Sequence, residues 1–537
     1  MLRSSPYHAD YASVTVQLES EQAIRRHRGG DIKKRKTSRR TSPVFVRNAP
    51  IVPASADHEI DSGISMQRAG DLEGAVECFR RALKLDPSSF QAYNLLGSIF
   101  ASLKDWSTAL TFTRAAVELN PTSAEIHGNL ALLYLKQSQL SAAIEHYRQA
   151  SSLRPDDPIY ANSLGNVLRV AGQYAEAEAS IHRALSLLPS YAEAYVNLGF
   201  LYYVQQMPDT LVEECYRKAI ALAPDLAQAH ANLSRSLLRR GDFSAGWAEH
   251  EWRWRLKDFT SPKRNFTQPQ WKGEPIHGAR ILLHAEQGFG DTIQFLRYVP
   301  MVAKLGAHIL LEVHPELRRL VESSAHGVQV ISRGDPLPEF DWQCPLLSLP
   351  LAFGTELQNI PSAVPYLRVV WTPPNWLQKE CPTDLHVGLV WAGGAINVID
   401  GERSLSLKAL SSLWQVKGVS LYSLQRGPVS MEADSIPLRF AGTAPQTGDF
   451  ADTAAAISHL DLIVSVDTSV AHLAGALGKP VWILLPVRSD WRWLKDRKDS
   501  PWYPSARLFR QSDEGDWAPV IAMLVAELSR LAVEGAF

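Results

Sequence analysis

A short segment with two glycines and an aspartate is the first part of the chain whose residue types suggest chemistry. In HAEQGFGDTIQFLRYVP, residues 284–300, an apolar strand runs into Gly288 and Gly290 and then into a helix that opens at Asp291 or Thr292. Backbone amides and the positive end of a helix would face a ligand there. The spacing is not G-x-G-x-x-G. Asp291 is a candidate catalytic carboxylate, and the alternative is that it only caps the helix.

A second segment places hydroxyl groups at the start of a helix. In DLIVSVDTSVAHLAGALGKPVWILLP, residues 461–486, a buried strand ends at Asp467 and turns at Thr468 and Ser469 into a helix of small residues. Hydroxyls and amides at a helix N-terminus can hold a diphosphate without a metal. His472, in the first turn, could donate to a phosphate oxygen. The alternative is a core histidine that is bonded to a carbonyl group.

A tryptophan-rich segment, DWRWLKDRKDSPWY, occupies residues 490–503. Trp491 or Trp493 could stack on a nucleobase or a sugar, with Arg492 close to a phosphate. The alternative is that these aromatic side chains seal the C-terminal part of the chain against the rest of the fold.

Apolar strand-like runs alternate with amphipathic segments throughout the region beyond Trp271. This alternation is typical of parallel sheets that are covered by helices. A proline-rich linker at 372–384 splits the region into two comparable halves. We therefore expect two doubly wound lobes, at 257–371 and 385–537, the second with a closing C-terminal helix, and ligands at the carboxyl ends of their strands. The strand-like runs are residues 281–284, 308–313, 328–331, 387–392, 419–424, 461–466 and 480–485.

A repeat of 34 or 35 residues precedes these lobes and predicts an α-solenoid over residues 56–256. Small residues recur at fixed offsets in each unit, which lets two antiparallel helices approach closely. A sixth, less regular unit runs from about Ala227 to Arg255 and looks like a cap, because GDFSAGWAEHEWRW replaces its closing proline with bulky residues. Because proline cannot continue a helix, the prolines mark the unit ends. The unit-closing prolines are Pro87, Pro121, Pro155, Pro189 and Pro224, and the small residues are Gly63, Gly97, Ala131, Gly165 and Gly199 in the first helices and Ala82, Ala116, Ala150, Ala184 and Ala219 in the second.

Charge and cysteine content limit the class of protein. Residues 1–55 predict a disordered basic arm: up to residue 48 it has 11 basic and 4 acidic residues, a charge of +7 against a total of −1. Such an arm could touch RNA or anionic lipid, but a solvated tail is the favoured interpretation and nucleic acid is not an expected partner. Four scattered cysteines and the lack of a membrane-length apolar stretch predict a cytoplasmic protein without a disulfide framework, a zinc site or a membrane span.

The repeats resemble the tetratricopeptide repeat, whose superhelices bind peptides or partner proteins in a groove. The motifs GFGD and DTSVAHLAGALGKP resemble those of heptosyltransferase-type glycosyltransferases of the GT-B fold. The motifs GDFSAGWAEHEWRW, CPLLSLPLAFGT, DWRWLKDRKDSPWYPSARLFRQ and GDW are similar to those of bacterial proteins that join such repeats to such a domain. The resemblance covers about residues 56–530 and implies inverting, metal-independent transfer of a sugar from a nucleotide-diphosphate donor. No D-x-D triplet follows a strand, which also disfavours a metal-assisted donor site.

The resemblance implies roles for individual residues. Asp291 matches the candidate general base, Arg403 in GERSLSL matches a basic position that neutralises donor phosphate, and Gln425 in SLQRG falls where relatives contact the nucleotide. The loop at 393–400 lacks the polar Asn, His and Arg character that relatives have there, so a second hypothesis stays open: a protein-interaction scaffold with a non-catalytic GT-B domain. The candidate donor-binding residues are Gly288, Gly290, Thr292, Gln294, Arg403, Gln425, Asp467, Thr468, Ser469, His472 and Arg492.

The layout also resembles that of O-linked N-acetylglucosamine transferases, in which asparagines at one repeat position line the groove. Here that offset gives Asn129, Ser163, Asn197 and Asn232. Amides can pair with a peptide backbone regardless of its sequence; the alternative is that these residues cap turns or belong to the repeat consensus. The resemblance implies a protein acceptor that is modified on Ser or Thr, and flagellin is one acceptor of bacterial proteins with this layout.

Overall fold

A computed structural model of the chain describes residues 55–324, 327–372, 376–377, 381, 383–393, 403–432, 440, 442–444 and 448–534. These residues form two compact units, one that ends at Asp225 and one that begins at Leu226. The predicted basic arm, except for Ser55, and the loop at 394–400 lie outside the described residues. The domain limits inferred from the sequence stay predictions.

The first unit, from residue 55 onward, consists of helices in five antiparallel pairs. Each second helix ends two residues before one of the periodic prolines, as the repeat predicts. The solenoid part of the predicted fold class is therefore confirmed. The helices are α1 (Ala56–Ala69), α2 (Leu72–Leu85), α3 (Phe90–Ser102), α4 (Trp106–Leu119), α5 (Ala124–Lys136), α6 (Leu140–Leu153), α7 (Pro158–Val170), α8 (Tyr174–Leu187), α9 (Ala192–Val204) and α10 (Asp209–Leu222).

Polar side chains cap the N-termini of several helices in this unit. The side chains of Ser55, Asp71, Ser89 and Asp105 each accept a hydrogen bond from the backbone N–H three residues later. Each bond satisfies one N–H group that has no partner within its helix. The repeat thus combines a capping residue before the helix with a proline after the pair.

The two helices of a pair approach closely at the small residues. A Cβ atom on Gly165 would lie 2.5 Å from Cγ1 of Ile181, and one on Gly199 would lie 2.7 Å from Cε1 of Tyr216. Only a glycine leaves room for these large side chains. The small residue of the second helix, such as Ala184, is fully buried, so the contact is tight on both sides.

The second unit begins with the helix pair that the sequence presents as a sixth repeat. The Trp247 indole nitrogen donates to the carbonyl oxygen of Thr355 at 3.0 Å. Its ring meets the ring of Trp491 edge-on, with centroids 5.2 Å apart. This pair therefore packs on the same body as the two sheets. It comprises α11 (Ala227–Arg240), α12 (Phe243–His250) and a 3-10 turn (Glu251–Arg255).

Two parallel sheets form the core of the second unit, which confirms the α/β part of the predicted fold class. The strands are β1 (Arg280–His284), β2 (His308–Val313), β3 (Gln329–Ser332), β4 (Trp342–Pro345), β5 (Leu385–Val390), β6 (Val419–Ser423), β7 (Gly442–Thr443), β8 (Leu462–Val466), β9 (Val481–Leu485) and β10 (Ala506–Arg510). The first sheet has the order β3-β2-β1-β4 and the second β10-β9-β8-β5-β6-β7. The second order is the 3-2-1-4-5-6 order of dinucleotide-binding sheets, read from the other edge. The strand order reverses between β1 and β4 in the first sheet and between β5 and β8 in the second, and these are the switch points of the two sheets.

All seven strand-like runs are strands, each within two residues of its predicted limits. The sequence does not predict β4, β7 and β10, which are edge strands of their sheets. An edge strand need not be a continuous apolar run, because part of it faces water. Accordingly the apolar run of β10, with the sequence ARLFR, is interrupted by two partly exposed arginines.

Helices follow most strands and cover the sheets. Within the described residues no helix is both long and apolar enough to cross a bilayer. The four cysteines are free thiols. The helices of this region are α13 (Phe289–Phe295), α14 (Val299–Lys304), α15 (Pro315–Ser324), α16 (Leu349–Ala352), α17 (Phe450–His459), α18 (Ser469–Ala476) and α19 (Ala518–Glu534).

The close contact at Gly165 gives a stability prediction. Gly165→Leu should lower the free energy of unfolding by about 3 kcal/mol, because the added side chain meets Ile181 and the backbone oxygen of Ala177. Ala179→Leu adds a side chain of the same size on the exposed face of α8 and should change stability by less than about 0.5 kcal/mol. Thermal and urea unfolding would compare the two variants. Equal stability would show that the pair is not closely packed.

Candidate functional site

The two candidate segments lie beyond the carboxyl ends of central strands. The GFGD segment follows β1, and Asp467 follows β8, so each is next to the switch point of its sheet. Helices α13 and α18 meet there: a Cβ on Gly290 would lie 2.9 Å from Cδ2 of His472. The structure thus brings together the residues of one predicted lobe with those of the other.

A buried guanidinium group joins the two segments. Arg492 donates from Nε to Oε1 of Gln294 at 2.5 Å and from Nη1 to Oδ1 of Asp490 at 2.9 Å, and its Nη2 donates to Oδ1 of Asp291. The side chain is 8% exposed and lies over the ring of Trp491, 4.4 Å from its centroid. Burial would lower the pKa of this guanidinium, but the carboxylates around it outweigh burial and raise it. Arg492 therefore stays charged, and all three of its nitrogens are engaged.

Asp291 caps its helix and also forms an ion pair. Its Oδ2 accepts a hydrogen bond of 2.9 Å from the backbone N–H of Gly288, which is a helix-capping contact. Its Oδ1 pairs with Arg492 across the two sheets. Both oxygens of this carboxylate have protein partners in the structure.

His472 is a buried neutral imidazole. Its Nδ1 shares a hydrogen bond of 2.9 Å with the Tyr503 hydroxyl, and its ring stacks on Trp493 with centroids 5.2 Å apart. Burial holds the pKa of His472 well below its usual value, and nearby arginines, Arg492 first, add to the effect. Its Nε2 lies 3.9 Å from Oδ1 of Asp467. The partner of Nδ1 is thus a tyrosine hydroxyl rather than the carbonyl that the alternative interpretation expects.

Asp467 is a buried carboxyl group in an acidic setting. Burial and the negative charge of Asp490 together raise the pKa of Asp467 to about 6, against the opposing effect of Arg403. Arg403 is thus close enough to act on Asp467, in agreement with a place near the candidate donor site. The next residue, Thr468, precedes the first turn of α18 and shares a hydrogen bond of 3.0 Å with Ser465. Ser469 is the first residue of α18.

The amide of Gln425 is occupied by the backbone. Its Oε1 accepts from the N–H groups of Trp391 and Ala392 at 3.1 and 3.0 Å. Its Nε2 donates to the carbonyl oxygens of Ala392 and Arg426 at 3.1 and 3.0 Å. In this structure Gln425 therefore holds the segment that follows β5.

Two further candidates of α13 are fully buried. The Thr292 hydroxyl lies 3.2 Å from Nδ1 of His314 and 3.3 Å from the carbonyl oxygen of Gly288. Gln294 contacts Arg492 through Oε1, and its Nε2 is a buried donor without a protein partner among the described residues. Of the two, only Gln294 belongs to the Arg492 cluster.

A second buried ion pair holds the segment before Asp291. Arg253 donates from Nε and Nη2 to the two oxygens of Glu286 at 2.8 and 2.7 Å, and from Nη1 to Glu251 at 2.7 Å. Its Nη2 also donates to the Ser348 hydroxyl at 2.9 Å. Burial raises the pKa of Glu286, and Arg253 opposes this rise. One arginine thus ties the turn after α12 to the loop after β1.

Asp490, Glu286 and Arg253 were not predicted as site residues, although all three lie in the motifs that carry the candidates or the family resemblance. Asp490 precedes the tryptophan-rich turn and caps it through the N–H of Arg492 at 3.0 Å. The sequence offered one indication for each of them: a charged residue within a segment of apolar or aromatic residues is often buried, and a buried charge needs a partner of opposite charge. The partner's identity depends on tertiary contacts.

The predicted asparagines take part in amide pairs. Asn129 donates to Asn94 at 2.9 Å, and Asn197 donates to Asn162 at 2.9 Å. In the second unit, Asn232 accepts from Gln228 at 2.9 Å. Asn94 and Asn162, which are 35 residues before their partners, were not predicted because they fall just before the expected offset. Ser163 instead donates to a backbone carbonyl of its own helix.

The candidate site was also compared with the residue types that bind metal ions in proteins. No group of three or more His, Cys, Asp or Glu side chains with the geometry of a metal site occurs in the described parts of the chain. The charges at the candidate site are instead those of carboxylates and arginines.

Comparisons with known proteins give separate matches to the two units. Residues 61–124, 128–192 and 162–206 match the tetratricopeptide repeat model, and residues 432–512 match the model of glycosyltransferase family 9 (heptosyltransferase). Protein FlbA of Caulobacter vibrioides is 25% identical over 407 residues, which are 69% of this chain and 67% of FlbA.

Solved structures resemble the chain over about a third of its length. The crystal structure of YrrB, described as a TPR protein with an unusual peptide-binding site, is 23% identical, with 32% of this chain and 89% of that chain covered and a TM-score of 0.29. A crystal structure of MamA is 24% identical, with 32% and 94% covered and a TM-score of 0.29.

The raised pKa of Asp467 predicts a pH-dependent stability change. A carboxyl with a pKa of about 6 in the fold, against 3.8 as its ordinary value, destabilises the fold when it is ionised, so its cost is present above pH 6 and disappears as pH falls toward 4. Asp467→Asn should therefore raise the free energy of unfolding by about 3 kcal/mol at pH 8 and by progressively less below pH 6. Urea unfolding at several pH values measures this, with the exposed Asp335→Asn as the control. A gain that does not vary with pH would contradict the prediction.

The Arg253 network predicts a large and local stability cost. Arg253→Met leaves Glu286 buried without its counter-charge and should cost about 3–5 kcal/mol. Arg497→Met is the matched control, because Arg497 pairs with Asp499 at the surface and such pairs contribute less than about 1 kcal/mol. Chemical unfolding of both variants gives the comparison. Similar small losses would show that the buried pair does not hold the segment.

Proposed function

We propose that this chain, which joins tetratricopeptide repeats to a glycosyltransferase family 9 domain, transfers a sugar from a nucleotide-diphosphate donor to a protein acceptor. One observation carries the proposal. Asp291, in the segment after β1 of the first sheet, accepts a hydrogen bond from Arg492, in the segment after β9 of the second sheet, and Asp467 is close enough to act electrostatically on Arg492. Glycosyl transfer needs a carboxylate that takes a proton and cations that stabilise the departing diphosphate. Both kinds of group are present at one place.

The proposed step is a single displacement at the anomeric carbon. The acceptor oxygen forms a bond to this carbon while the bond from the carbon to the diphosphate oxygen breaks, and the electron pair leaves with the diphosphate. Asp291 takes the proton of the acceptor hydroxyl group. Because attack comes from the face opposite the leaving group, the configuration at the anomeric carbon is inverted.

The donor diphosphate would lie between cations and a helix end. Arg492 and Arg403 supply positive charge, and α18 presents its first amides beside Thr468 and Ser469. Oriented amides and arginines can neutralise a diphosphate. We therefore propose that the transfer needs no metal cofactor.

The acceptor would bind along the amide pairs of the first unit. Each asparagine in the pairs Asn94–Asn129 and Asn162–Asn197 uses part of its hydrogen-bonding capacity in the pair, and an amide has further donor and acceptor positions for a peptide backbone. We propose a protein that is modified on Ser or Thr. Flagellin is one candidate, suggested by the resemblance of the layout.

The role of Asp291 is tested by its conservative variant. Asp291→Asn should lower the rate of sugar transfer by about 10²- to 10⁴-fold, because an amide cannot take the hydroxyl proton. The measurement is the transfer of labelled sugar from a panel of nucleotide sugars to proteins of a cell extract, followed by mass spectrometry. Asp335→Asn, which changes an exposed carboxylate paired with Arg318, should keep full activity.

The competing hypothesis is a protein scaffold that retains a non-catalytic glycosyltransferase fold. It predicts that the wild-type chain binds no nucleotide sugar and that Asp291→Asn matches the wild type in every assay. Calorimetric titration with the same nucleotide sugars separates the two hypotheses before any acceptor is known. Binding without transfer to any protein would contradict the protein-acceptor part of the proposal.

A further inference from the structure

The Asp291–Arg492 pair occupies both of the groups that the proposed reaction needs. Arg492 makes a hydrogen bond from each of its three nitrogens, to Gln294, Asp490 and Asp291. Asp291 uses one oxygen for Arg492 and the other for the N–H of Gly288. While this pair stands, Asp291 holds the Nη2 side of the guanidinium, and the carboxylate is neutralised by a cation.

We propose that Arg492 is an exchangeable partner of Asp291: an arriving donor diphosphate takes over the Nη2 side of the guanidinium and thereby releases Asp291 to act as the base. This inference rests on the proposed function and adds an order of events to it. The acceptor hydroxyl group can lose its proton only after the donor has bound.

The arrangement of partners allows such an exchange without moving the arginine far. Asp490 and Gln294 hold Nη1 and Nε, and the ring of Trp491 supports the face of the guanidinium. These contacts keep Arg492 in place when Nη2 changes its partner. A diphosphate carries more charge than a carboxylate and can bond an arginine through two oxygens, so it can compete for this position.

The balance of charges around Arg492 also favours the Asp291–Arg492 ion pair before the donor binds. Asp291, Asp467 and Asp490 all act electrostatically on Arg492, and Arg403 is a further cation that acts on Asp467. A diphosphate that entered beside three ionised carboxylates would be repelled. The elevated pKa of Asp467, about 6, allows this carboxyl to take up a proton and reduce that repulsion as the donor binds.

The exchange predicts that loss of the base tightens nucleotide binding. In calorimetric titrations of the full chain with UDP, GDP, CDP, ADP and dTDP, Asp291→Asn should lower the dissociation constant of whichever nucleotide the wild type binds by about tenfold. The gain arises because the amide no longer competes as an anion for Arg492. Asp335→Asn, which changes an exposed carboxylate that pairs with Arg318, should leave the dissociation constant unchanged.

A double-mutant cycle tests whether the gain passes through Arg492. In an Arg492→Gln background, Asp291→Asn should no longer tighten binding, and thermal unfolding shows whether that background is folded. Arg492→Met, which also removes the charge, gives the same cycle if the glutamine variant does not fold. An unchanged or weaker affinity of Asp291→Asn, or an equal gain without Arg492, would overturn the exchange but not the glycosyltransferase proposal. No binding of any nucleotide by wild type and variant alike would overturn both.

Discussion

Electrostatic balance around one buried guanidinium is the constraint on which the candidate site depends. Arg492 donates hydrogen bonds to two aspartates: Asp291, which follows β1 of the first sheet, and Asp490, which follows β9 of the second sheet. A charged group can be buried only when it is paired and hydrogen-bonded. Arg492 and the two aspartates therefore stabilise one another in the buried site. Their hydrogen bonds join the two sheets at the carboxyl ends of the strands, where doubly wound folds bind their ligands.

The rest of the second unit positions the two sides of this pair. On one side, the helix pair α11 and α12 supports the tryptophan-rich turn: Trp247 packs on Trp491, and the N–H of Lys495 donates to the carbonyl oxygen of Arg239 at 3.0 Å. On the other side, Arg253 holds Glu286, five residues before Asp291. The helix pair that continues the repeat pattern thus packs against the part of the unit that holds the candidate site.

Local patterns predicted the fold well, and the site only in part. Periodic prolines and buried apolar runs depend on near neighbours, so the helix pairs and central strands were visible in the sequence, whereas edge strands such as β10 were not. The candidates Asp291, Arg492, Asp467 and His472 were predicted to serve one site, and they do lie together. The partners of Gln425 could not be predicted, because its amide meets a backbone segment more than 30 residues away through a tertiary fold.

A crystal structure of the full chain with a bound nucleoside diphosphate tests the central claim most directly, because the claim concerns which partner Arg492 holds. We predict a phosphate oxygen within hydrogen-bond distance of Nη2 of Arg492, with Asp291 separated from the guanidinium and open to the acceptor side. Asp490 should keep its bond to Arg492. A nucleotide bound beside an unchanged Asp291–Arg492 pair would contradict the claim.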